Sequence, residues 1–286
     1  MESYQLPRTG KTCSIKTLLV AQGISSTHWR RIKKSGQIFI NEEPAPINRP
    51  VQPGDLVSFN LAEPVSSIIP EKHELQIVYE DADLIVLNKP AGILVHPTTS
   101  TAVGTLSNYL AGYYLQKQIV AGIHPVSRLD RNTSGLVLFV KKSQWQYQLP
   151  PNTLHKEYLA ILQGVPPASS GSINGKIARK PGSIIERMIS PDGKEAHSLY
   201  HVLAVYGSLA LVQFSLLTGR THQIRVHAAS LGSPLYGDNL YGTPGPQARH
   251  ALHSWRLSFL HPRTKALLQF SSPLPEDLLA IIRQNR

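Results

Sequence analysis

The sequence predicts an α+β fold, in which a small N-terminal α+β domain precedes a mixed, mostly antiparallel sheet. Two observations support this prediction. Strand-like apolar runs recur after residue 74, and most of them are joined by short turns with few helical segments between them. That arrangement is typical of an antiparallel sheet and not of regular strand–helix alternation. Residues 14–60 form a separate compact unit, and a segment rich in proline and serine, 61–74, reads as a linker.

The N-terminal unit reads as two helices followed by strands. The first helix is predicted over 15–22. The second begins in the Ser-Ser-Thr run at 25–27 and ends at Gly36, because hydroxyl side chains favour helix starts and glycine favours the position after a helix. Strands follow the second helix, the first at 38–40. Four basic residues make this second helix strongly positive: Arg30, Arg31, Lys33 and Lys34.

The larger domain, 75–286, is predicted to hold most of the sheet. Its strand-like runs are 75–79, 84–87, 136–140, 158–162, 198–205, 209–217, 251–259 and 267–270. Helices are predicted over 105–116, 222–231 and 276–284.

Composition restricts the functional classes. The chain has 29 basic and 18 acidic residues, for a net charge of +11, which favours binding to a polyanion through phosphate contacts. No apolar run approaches the ~20 residues that span a bilayer, and the first residues lack the apolar core of a signal peptide. A single cysteine, Cys13, fits a reducing compartment. We therefore expect a cytoplasmic protein with no membrane partner, and a monomer by default.

The stretch HPVSRLDRNTSG at residues 124–135 contains the main candidate for chemistry. Asp130 lies between Arg128 and Arg131, and positive neighbours favour the ionised form of a carboxylate. The stretch then opens onto an apolar strand. The same residue types are ordinary turn formers, so the local pattern leaves open a catalytic aspartate and a simple turn.

Two other segments supply candidate partners. Tyr158 opens a strand, where a tyrosine is either a half-buried packing residue or, beside positive charge, a general base. Arg220 lies at a predicted strand-to-helix turn, from which a guanidinium can reach a carboxylate. Thr221 is the expected N-cap of that helix, and Arg225, about one turn further on, is expected to face phosphate.

The sequence favours neither a metal nor a nucleotide cofactor. Four histidines, His222, His227, His250 and His253, lack the HExxH spacing and have no accompanying acidic ligands in the sequence. Walker and GxGxxG glycine patterns are missing as well.

Several long motifs occur in a fixed order. They are YEDADLIVLNKPAGILVHP, RLDRNTSGLVLF, KEYLAIL, GKEAHSLY, LLTGRTHQIRVH and RHALHSWRLSFLHP. In these motifs the region 75–286 resembles the RluA-type pseudouridine synthases. With its basic helix, GQIFIN and PGD segments, the region 14–60 resembles an S4-type RNA-binding domain.

The resemblance implies a pseudouridine synthase fold with an RNA-binding cleft across its sheet, and it implies roles at the matching positions. Asp130 is then the catalytic carboxylate, and Arg220 is the basic residue that pairs with it. Tyr158 packs on the target base and helps to remove the proton from carbon 5. Arg128 occupies the gap left by the flipped nucleotide, and Ile224 is expected in the uracil pocket.

The resemblance further implies an isomerase that acts on structured RNA without a cofactor. Large-subunit ribosomal RNA is the expected substrate, and transfer RNA is the other class. Arg225 and the four basic residues of the second helix are expected to bind this RNA. The alternative is a non-catalytic RNA-binding factor in ribosome assembly. Two features depart from the family pattern: Ser127, and a segment between residues 141 and 156 that is shorter than usual.

Overall fold

The structure, a computed structural model, describes residues 2–59, 67–150, 153–243 and 249–285. Within them, a four-stranded N-terminal sheet precedes a ten-stranded sheet. In the described part of the large sheet one strand pair is parallel and the other pairs are antiparallel. The predicted α+β class with a mixed, mostly antiparallel sheet is confirmed.

The N-terminal module contains eight elements with their own apolar core. They are β1 (Glu2–Gln5), β2 (Cys13–Ser14), α1 (Ile15–Ala21), α2 (Ser26–Ser35), β3 (Ile38–Ile40), β4 (Glu43–Pro44), β5 (Pro50–Val51) and β6 (Leu56–Phe59). Helix α2 begins with a Ser25 cap on the His28 amide, and it ends before Gly36, whose φ of 67° suits glycine. Strand β1 pairs with β6, so the sheet of this module includes residues before the predicted boundary at residue 14.

The larger domain supplies the other strands and helices. Its strands are β7 (Ile77–Glu80), β8 (Leu84–Lys89), β9 (His124–Pro125), β10 (Ser134–Val140), β11 (His155–Gln163), β12 (Ser170–Asn174), β13 (Ile177–Arg179), β14 (Arg187–Ile189), β15 (His197–Tyr206), β16 (Leu209–Leu216), β17 (Leu252–Leu260) and β18 (Leu267–Ser271). Its helices are α3 (Leu106–Gln116), α4 (Ser143–Gln148), α5 (Gln223–Ser230) and α6 (Glu276–Gln284). The main path of the large sheet is β12-β15-β16-β11-β17-β10-β8-β7.

Strand β10 is buried along its whole length because the sheet is covered on both faces. Val137 and Phe139 pack with α3 and α5 on one face, whereas the alternate residues pack with α4 on the other. A strand buried on both faces needs a continuous apolar sequence, and SGLVLFV provides one. The loop that precedes β10 is thereby attached to a strand that is buried on both faces.

Sequence patterns missed the short elements. Helix α4 lies in the segment between residues 141 and 156, and its six residues give little periodicity. The β13–β14 hairpin and the edge strand β12 were also missed. No helix in the described ranges is long and apolar enough to cross a membrane.

The N-terminal module contacts the larger domain through α2 and α4. The ring of His28 lies 2.7 Å from the hydroxyl of Ser143, and Arg31 donates to the same hydroxyl at 3.3 Å. Gln148 also donates to the carbonyl of Gln22 at 3.2 Å. These hydrogen bonds attach the N-terminal module, including the basic helix α2, to helix α4 of the larger domain.

The predicted linker, 61–74, lies partly outside the described residues, since 60–66 are not described. Its described part is attached to the larger domain. The Glu71 amide donates to the carbonyl of Asn108 in α3, and its carboxylate accepts from the amide of Gly104 at 2.6 Å. Residues from Glu71 onward therefore pack as part of that domain.

Candidate active site

A pocket opens beside the loop that carries Asp130. Three segments line it: the Asp130 loop, strand β11 with its neighbours β16 and β17, and the start of α5. Its lining residues are Arg128, Leu129, Asp130, Thr133, Tyr158, Leu216, Arg220, His222, Gln223, Ile224, Arg225 and Leu252. The structure thus brings together Asp130, Tyr158, Arg220, Arg128, Ile224 and Arg225, which are far apart in sequence.

Gly135 lets the Asp130 loop pass close to strand β17. Its φ is 111°, and a Cβ at this position would lie 2.2 Å from the carbonyl oxygen of Ser254. Only glycine satisfies both conditions. Because β10 and β17 are parallel neighbours at this point, Asp130 is brought next to the strands that carry the pocket wall.

Two buried cations hold the carbonyl groups of the loop. Lys89 is fully buried, and its ammonium donates to the carbonyls of Pro90, Ile93 and Arg131 at 2.9, 2.9 and 3.0 Å. Arg249 donates to the carbonyl of Asn132 at 3.0 Å. Burial lowers the pKa of Lys89 to about 7, and the charge of Arg249 adds to the effect. A phosphate-facing or surface role for Lys89 is excluded by this burial.

Two buried histidines attach the loop to β17 and the residues before it. Thr133 Oγ1 lies 2.9 Å from His250 Nε2, and Ser134 Oγ lies 2.9 Å from His253 Nδ1. Burial lowers the pKa of His250 to about 3 and that of His253 to about 4, so both rings are neutral at pH 7. Their function in the described structure is to hold the loop by hydrogen bonds.

Asp130 faces Arg225, and this corrects the expected pairing with Arg220. The Arg225 guanidinium lies 3.8 Å from the Asp130 carboxylate, and it also binds Asp238 through two hydrogen bonds of 2.7 Å. Burial disfavours the charged form of Arg225, but the hydrogen bonds and charge of Asp238 outweigh burial and raise its pKa. Arg225 is 4% exposed. The expectation that it faces phosphate is therefore wrong.

Arg220 lines the pocket from an exposed position. Its Nε donates to the carbonyl of Glu195 at 2.8 Å, and its guanidinium makes no ion pair with Asp130 within 4.0 Å. Arg128, which is also exposed, lines the pocket next to Asp130. Ser127 is buried at 8% exposure, which places it on the inner side of the loop.

His222 approaches the same carboxylate oxygen of Asp130 as Arg225 does. Its Nε2 is 3.8 Å from the carboxylate, and its Nδ1 is 2.8 Å from the hydroxyl of Tyr241. That hydroxyl also accepts from the Arg187 amide at 2.7 Å, so Tyr241 links His222 to strand β14. Burial lowers the pKa of His222, although the charge of Asp130 opposes this.

His222 also replaces Thr221 as the N-cap of α5. It has a left-handed conformation with φ of 59°, and it makes no side-chain capping bond. A non-glycine residue in this conformation is uncommon and strained. The ring of His222 lines the pocket. The sequence does not single out His222 as a pocket residue, because its spacing from the other histidines bears only on metal binding.

Tyr158 is buried in the pocket wall at 6% exposure. Burial, followed by the nearby charge of Asp130, raises the pKa of this phenol well above its usual range. The phenol is therefore protonated at neutral pH in the unliganded protein. Ile224, Leu216 and Leu252 form an apolar surface around it. This wall suits the flat face of a base.

The predicted RNA-binding residues of α2 differ in their exposure to solvent. Arg30, Lys33 and Lys34 are exposed, whereas Arg31 is partly buried. Arg31 contacts Ser143 of the larger domain. Three of the four predicted positions thus present positive charge to solvent.

A second cluster of titratable groups lies away from the pocket. Ligand atoms of Asp81, Asp83 and His261 approach within 4.8 Å of one another, a grouping that the sequence did not predict. Asp81 accepts hydrogen bonds from two backbone amides and lies 3.0 Å from His261 Nε2. Asp83 accepts from Trp145 and pairs with Arg263. Each member of the cluster therefore has partners within the protein, and these hydrogen bonds give the cluster a structural role.

The comparisons with known proteins agree with this geometry. The model of the RNA pseudouridylate synthase family matches residues 83–230. The RNA pseudouridine synthase YhcT of Bacillus subtilis is 40% identical over 255 residues, covering 86% of this chain and 84% of that protein. The ribosomal large subunit pseudouridine synthase D of Neisseria meningitidis is 34% identical over 273 residues, covering 87% of this chain and 73% of that protein.

A solved structure of a pseudouridylate synthase domain has a similar fold. Human RNA pseudouridylate synthase domain containing 1 superposes with a TM-score of 0.59 at 25% identity, covering 76% of this chain and 89% of that one. The resemblance to RluA-type enzymes is confirmed: this chain belongs to the RNA pseudouridylate synthase family, isomerases that convert uridine to pseudouridine in RNA.

Proposed function

We propose that this isomerase modifies a specific uridine in large-subunit ribosomal RNA, with Asp130 as its catalytic carboxylate. The observation that supports Asp130 is its position in the pocket, 3.8 Å from both Arg225 and His222. Among the residues that line the pocket, Asp130 is the one carboxylate. The proposed substrate rests on relatives that are named ribosomal large subunit pseudouridine synthase D.

The chemistry of the isomerisation fits this set of groups. The bond between N1 and C1′ breaks, the base turns, and a bond between carbon 5 and C1′ forms. Carbon 5 loses a proton and N1 gains one, so atoms and electrons balance without a redox partner. An ionised carboxylate in the pocket can act as the nucleophile on the sugar or on the base. Arg225 and His222 each lie 3.8 Å from its Oδ2 atom and can hold the carboxylate in position for attack.

We propose that Tyr158 first supports the base and later receives the proton of carbon 5. Its ring lies in the apolar wall with Ile224, where a uracil can pack. The charge of Asp130 contributes to the raised pKa of the phenol. When Asp130 forms a covalent bond, that charge is lost, and the phenol releases its own proton to solvent more easily. The resulting phenolate then takes the proton of carbon 5.

Arg128 and Arg220 are proposed as RNA contacts at the mouth of this pocket. Both guanidinium groups are exposed and line the opening. The target nucleotide must leave its stack to reach Asp130, which costs a few kcal/mol. An arginine at the mouth can stack in the vacated space and bind phosphate, and these contacts offset that cost.

The N-terminal module is proposed as an S4-type RNA-binding domain. Its support is the exposed basic surface of α2, formed by Arg30, Lys33 and Lys34, together with the net charge of +11. We further propose that the protein acts as a monomer in the cytoplasm, a compartment that suits the free thiol of Cys13.

The experiment that tests the proposed function is a map of pseudouridine in total RNA from cells with and without this protein. We expect one or a few sites in large-subunit ribosomal RNA to lose pseudouridine when the protein is absent. Expression of the wild-type chain restores them, and expression of Asp130→Asn does not. Lost sites confined to transfer RNA would contradict the proposed substrate, and restoration by Asp130→Asn would contradict the role of Asp130.

A further inference from the structure

Lys156 occupies the outer end of the strand that carries Tyr158. Strand β11 pairs with β16 in an unshifted register, in which Lys156 lies opposite Leu216 and Tyr158 lies opposite Phe214. Residues two apart on a strand point to the same face, so Lys156 shares the pocket face of Tyr158. Leu216, its cross-strand partner, lines the pocket.

The ammonium of Lys156 lies beside the turn before α5. A Cβ placed on Gly219 would be 3.9 Å from Lys156 Nζ. The next residue, Arg220, is part of the pocket lining. Lys156, Arg220 and Arg128 therefore place three positive charges around the mouth of a pocket that holds one carboxylate.

Lys156 has a half-buried side chain and no partner for its charge among the described residues. Its ammonium makes no hydrogen bond to a described group and no ion pair within 4.0 Å of a described carboxylate. Burial lowers its pKa, and no neighbouring carboxylate opposes that effect. A half-buried cation without a counter-charge reduces the stability of a fold, because desolvation is not compensated.

We propose that Lys156 binds a backbone phosphate of the RNA segment that carries the target nucleotide, at the rim of the Asp130 pocket. This inference rests on the proposed function. The bound phosphate supplies the missing counter-charge, and the apolar surroundings strengthen the interaction relative to one in water. Lys156 thereby fixes the strand on the Tyr158 side of the pocket, and Arg128 and Arg220 lie around the same opening.

A packing role for Lys156 makes a different prediction. A lysine that merely covers apolar surface with its methylene groups contributes to stability and has little effect on salt dependence. A lysine that binds phosphate in the complex has the opposite effects on stability and on RNA binding. Its removal leaves stability equal or higher and weakens RNA binding.

The test combines Lys156→Met, Lys156→Gln and Lys156→Arg with the control Lys117→Met, which removes an exposed lysine at the end of α3. The RNA is an unmodified transcript of large-subunit ribosomal RNA. Binding is measured between 50 and 300 mM salt, roughly the range in which counterion release is resolved, in an Asp130→Asn background that prevents turnover. Thermal unfolding and the single-turnover rate are measured with Asp130 intact.

We expect Lys156→Met and Lys156→Gln to raise Kd about tenfold and to reduce the slope of log K against log salt by about 0.7–0.9, the value of one phosphate contact. Their melting temperatures stay equal to that of the parent or rise. The rate at saturating RNA changes little, because the contact forms before the reaction and persists through it. Lys156→Arg keeps the parental slope, and Lys117→Met changes none of these quantities.

An unchanged salt slope in Lys156→Met and Lys156→Gln, or a fall in their melting temperature with unchanged Kd, would overturn the inference. Both results can occur while the wild-type protein forms pseudouridine normally, in which case the proposed function stands. If the wild-type protein forms no pseudouridine in any cellular RNA, the proposed function fails, and the salt slope still reports on phosphate binding by Lys156.

Discussion

Arg225 approaches the carboxylate of Asp130 to 3.8 Å from inside the protein, where Asp238 already holds its guanidinium through two hydrogen bonds of 2.7 Å. Asp238 is fully buried. The charge opposite Asp130 is therefore fixed in place before RNA binds, since Arg225 cannot turn away without leaving a buried carboxylate unpaired. Such preorganisation reduces the reorganisation that the reaction requires.

This arrangement predicts different effects for two arginines of the same pocket. Arg225→Met leaves Asp238 buried without a counter-charge, although the backbone amides of Leu240 and Tyr241 still donate to it, so we expect a loss of about 3–5 kcal/mol in the free energy of unfolding. Arg220→Met removes an exposed side chain, so we expect a loss below about 1 kcal/mol with weaker RNA binding. Denaturant titrations of both variants measure the difference. Equal destabilisation would contradict the assignment of Arg225 as the buried partner.

Tyr158 predicts a pH-dependent step. Because its pKa is raised in the unliganded protein, the deprotonated phenol becomes more abundant as pH rises through the neutral range. We expect the single-turnover rate to increase from pH 6 to pH 9 in the wild type. Tyr158→Phe binds RNA normally but loses about 100-fold or more in this rate, the usual contribution of a general base. A flat wild-type profile, or a Phe variant with the parental rate, would refute proton removal by Tyr158.

His250 and His253 predict the acid stability of the fold. Their pKa values are lowered to about 3 and about 4, whereas an unfolded histidine titrates near about 6.5. Between these values the unfolded chain binds more protons, so the free energy of unfolding falls as pH decreases from about 6.5 toward 4. Each histidine contributes a slope of up to about 1.4 kcal/mol per pH unit.

Denaturant titrations at several pH values test this expectation. His253→Gln removes one titrating group, so the slope below pH 6.5 decreases relative to the wild type. An exposed histidine, His201, provides the matched control, and His201→Gln keeps the parental slope. Stability that is constant between pH 7 and pH 4 in the wild type would contradict the account.

The exposed cations of α2 predict the salt dependence of RNA binding. Reversal of charge at Arg30, Lys33 and Lys34 weakens binding and lowers the salt slope, because fewer counterions are released. Arg31→Glu differs, because Arg31 contacts Ser143 and its loss also disturbs the contact between the two parts of the protein. Salt titrations of RNA affinity with each variant measure both effects. Unchanged affinity and slope in the triple reversal would exclude α2 from RNA binding.

The sequence predicted most strands of the large sheet because these strands have clear patterns of apolar residues. The run LVLFV in β10 is apolar throughout, and KEYLAILQ and HSLYHVLAVY are long and bounded by turns. Short elements escaped prediction because six residues such as α4 contain less than two helical turns. The strand β1 was missed because it forms through pairing with β6, which is remote in sequence.

The sequence predicted several of the residues that line the pocket, but it did not predict which of them contact one another. The motifs identified Asp130, Tyr158 and the segment that contains both Arg220 and Arg225. Which arginine faces Asp130 depends on where α5 begins, and its N-cap is His222, one residue after the expected Thr221. The sequence did not predict that Lys89 is buried, because a charged side chain is expected at the surface. Its three acceptors are backbone carbonyls that come together only in the folded chain.

Release of tritium from RNA labelled at carbon 5 of uridine tests the central claim most directly, because that proton leaves only when the base is joined through carbon 5. The substrate is ribosomal RNA from cells that lack the protein. We predict that the wild-type protein releases tritium up to a fixed number of sites, and that Asp130→Asn binds this RNA but releases none above background. Release by Asp130→Asn at the wild-type rate would contradict the assignment of Asp130 as the catalytic carboxylate.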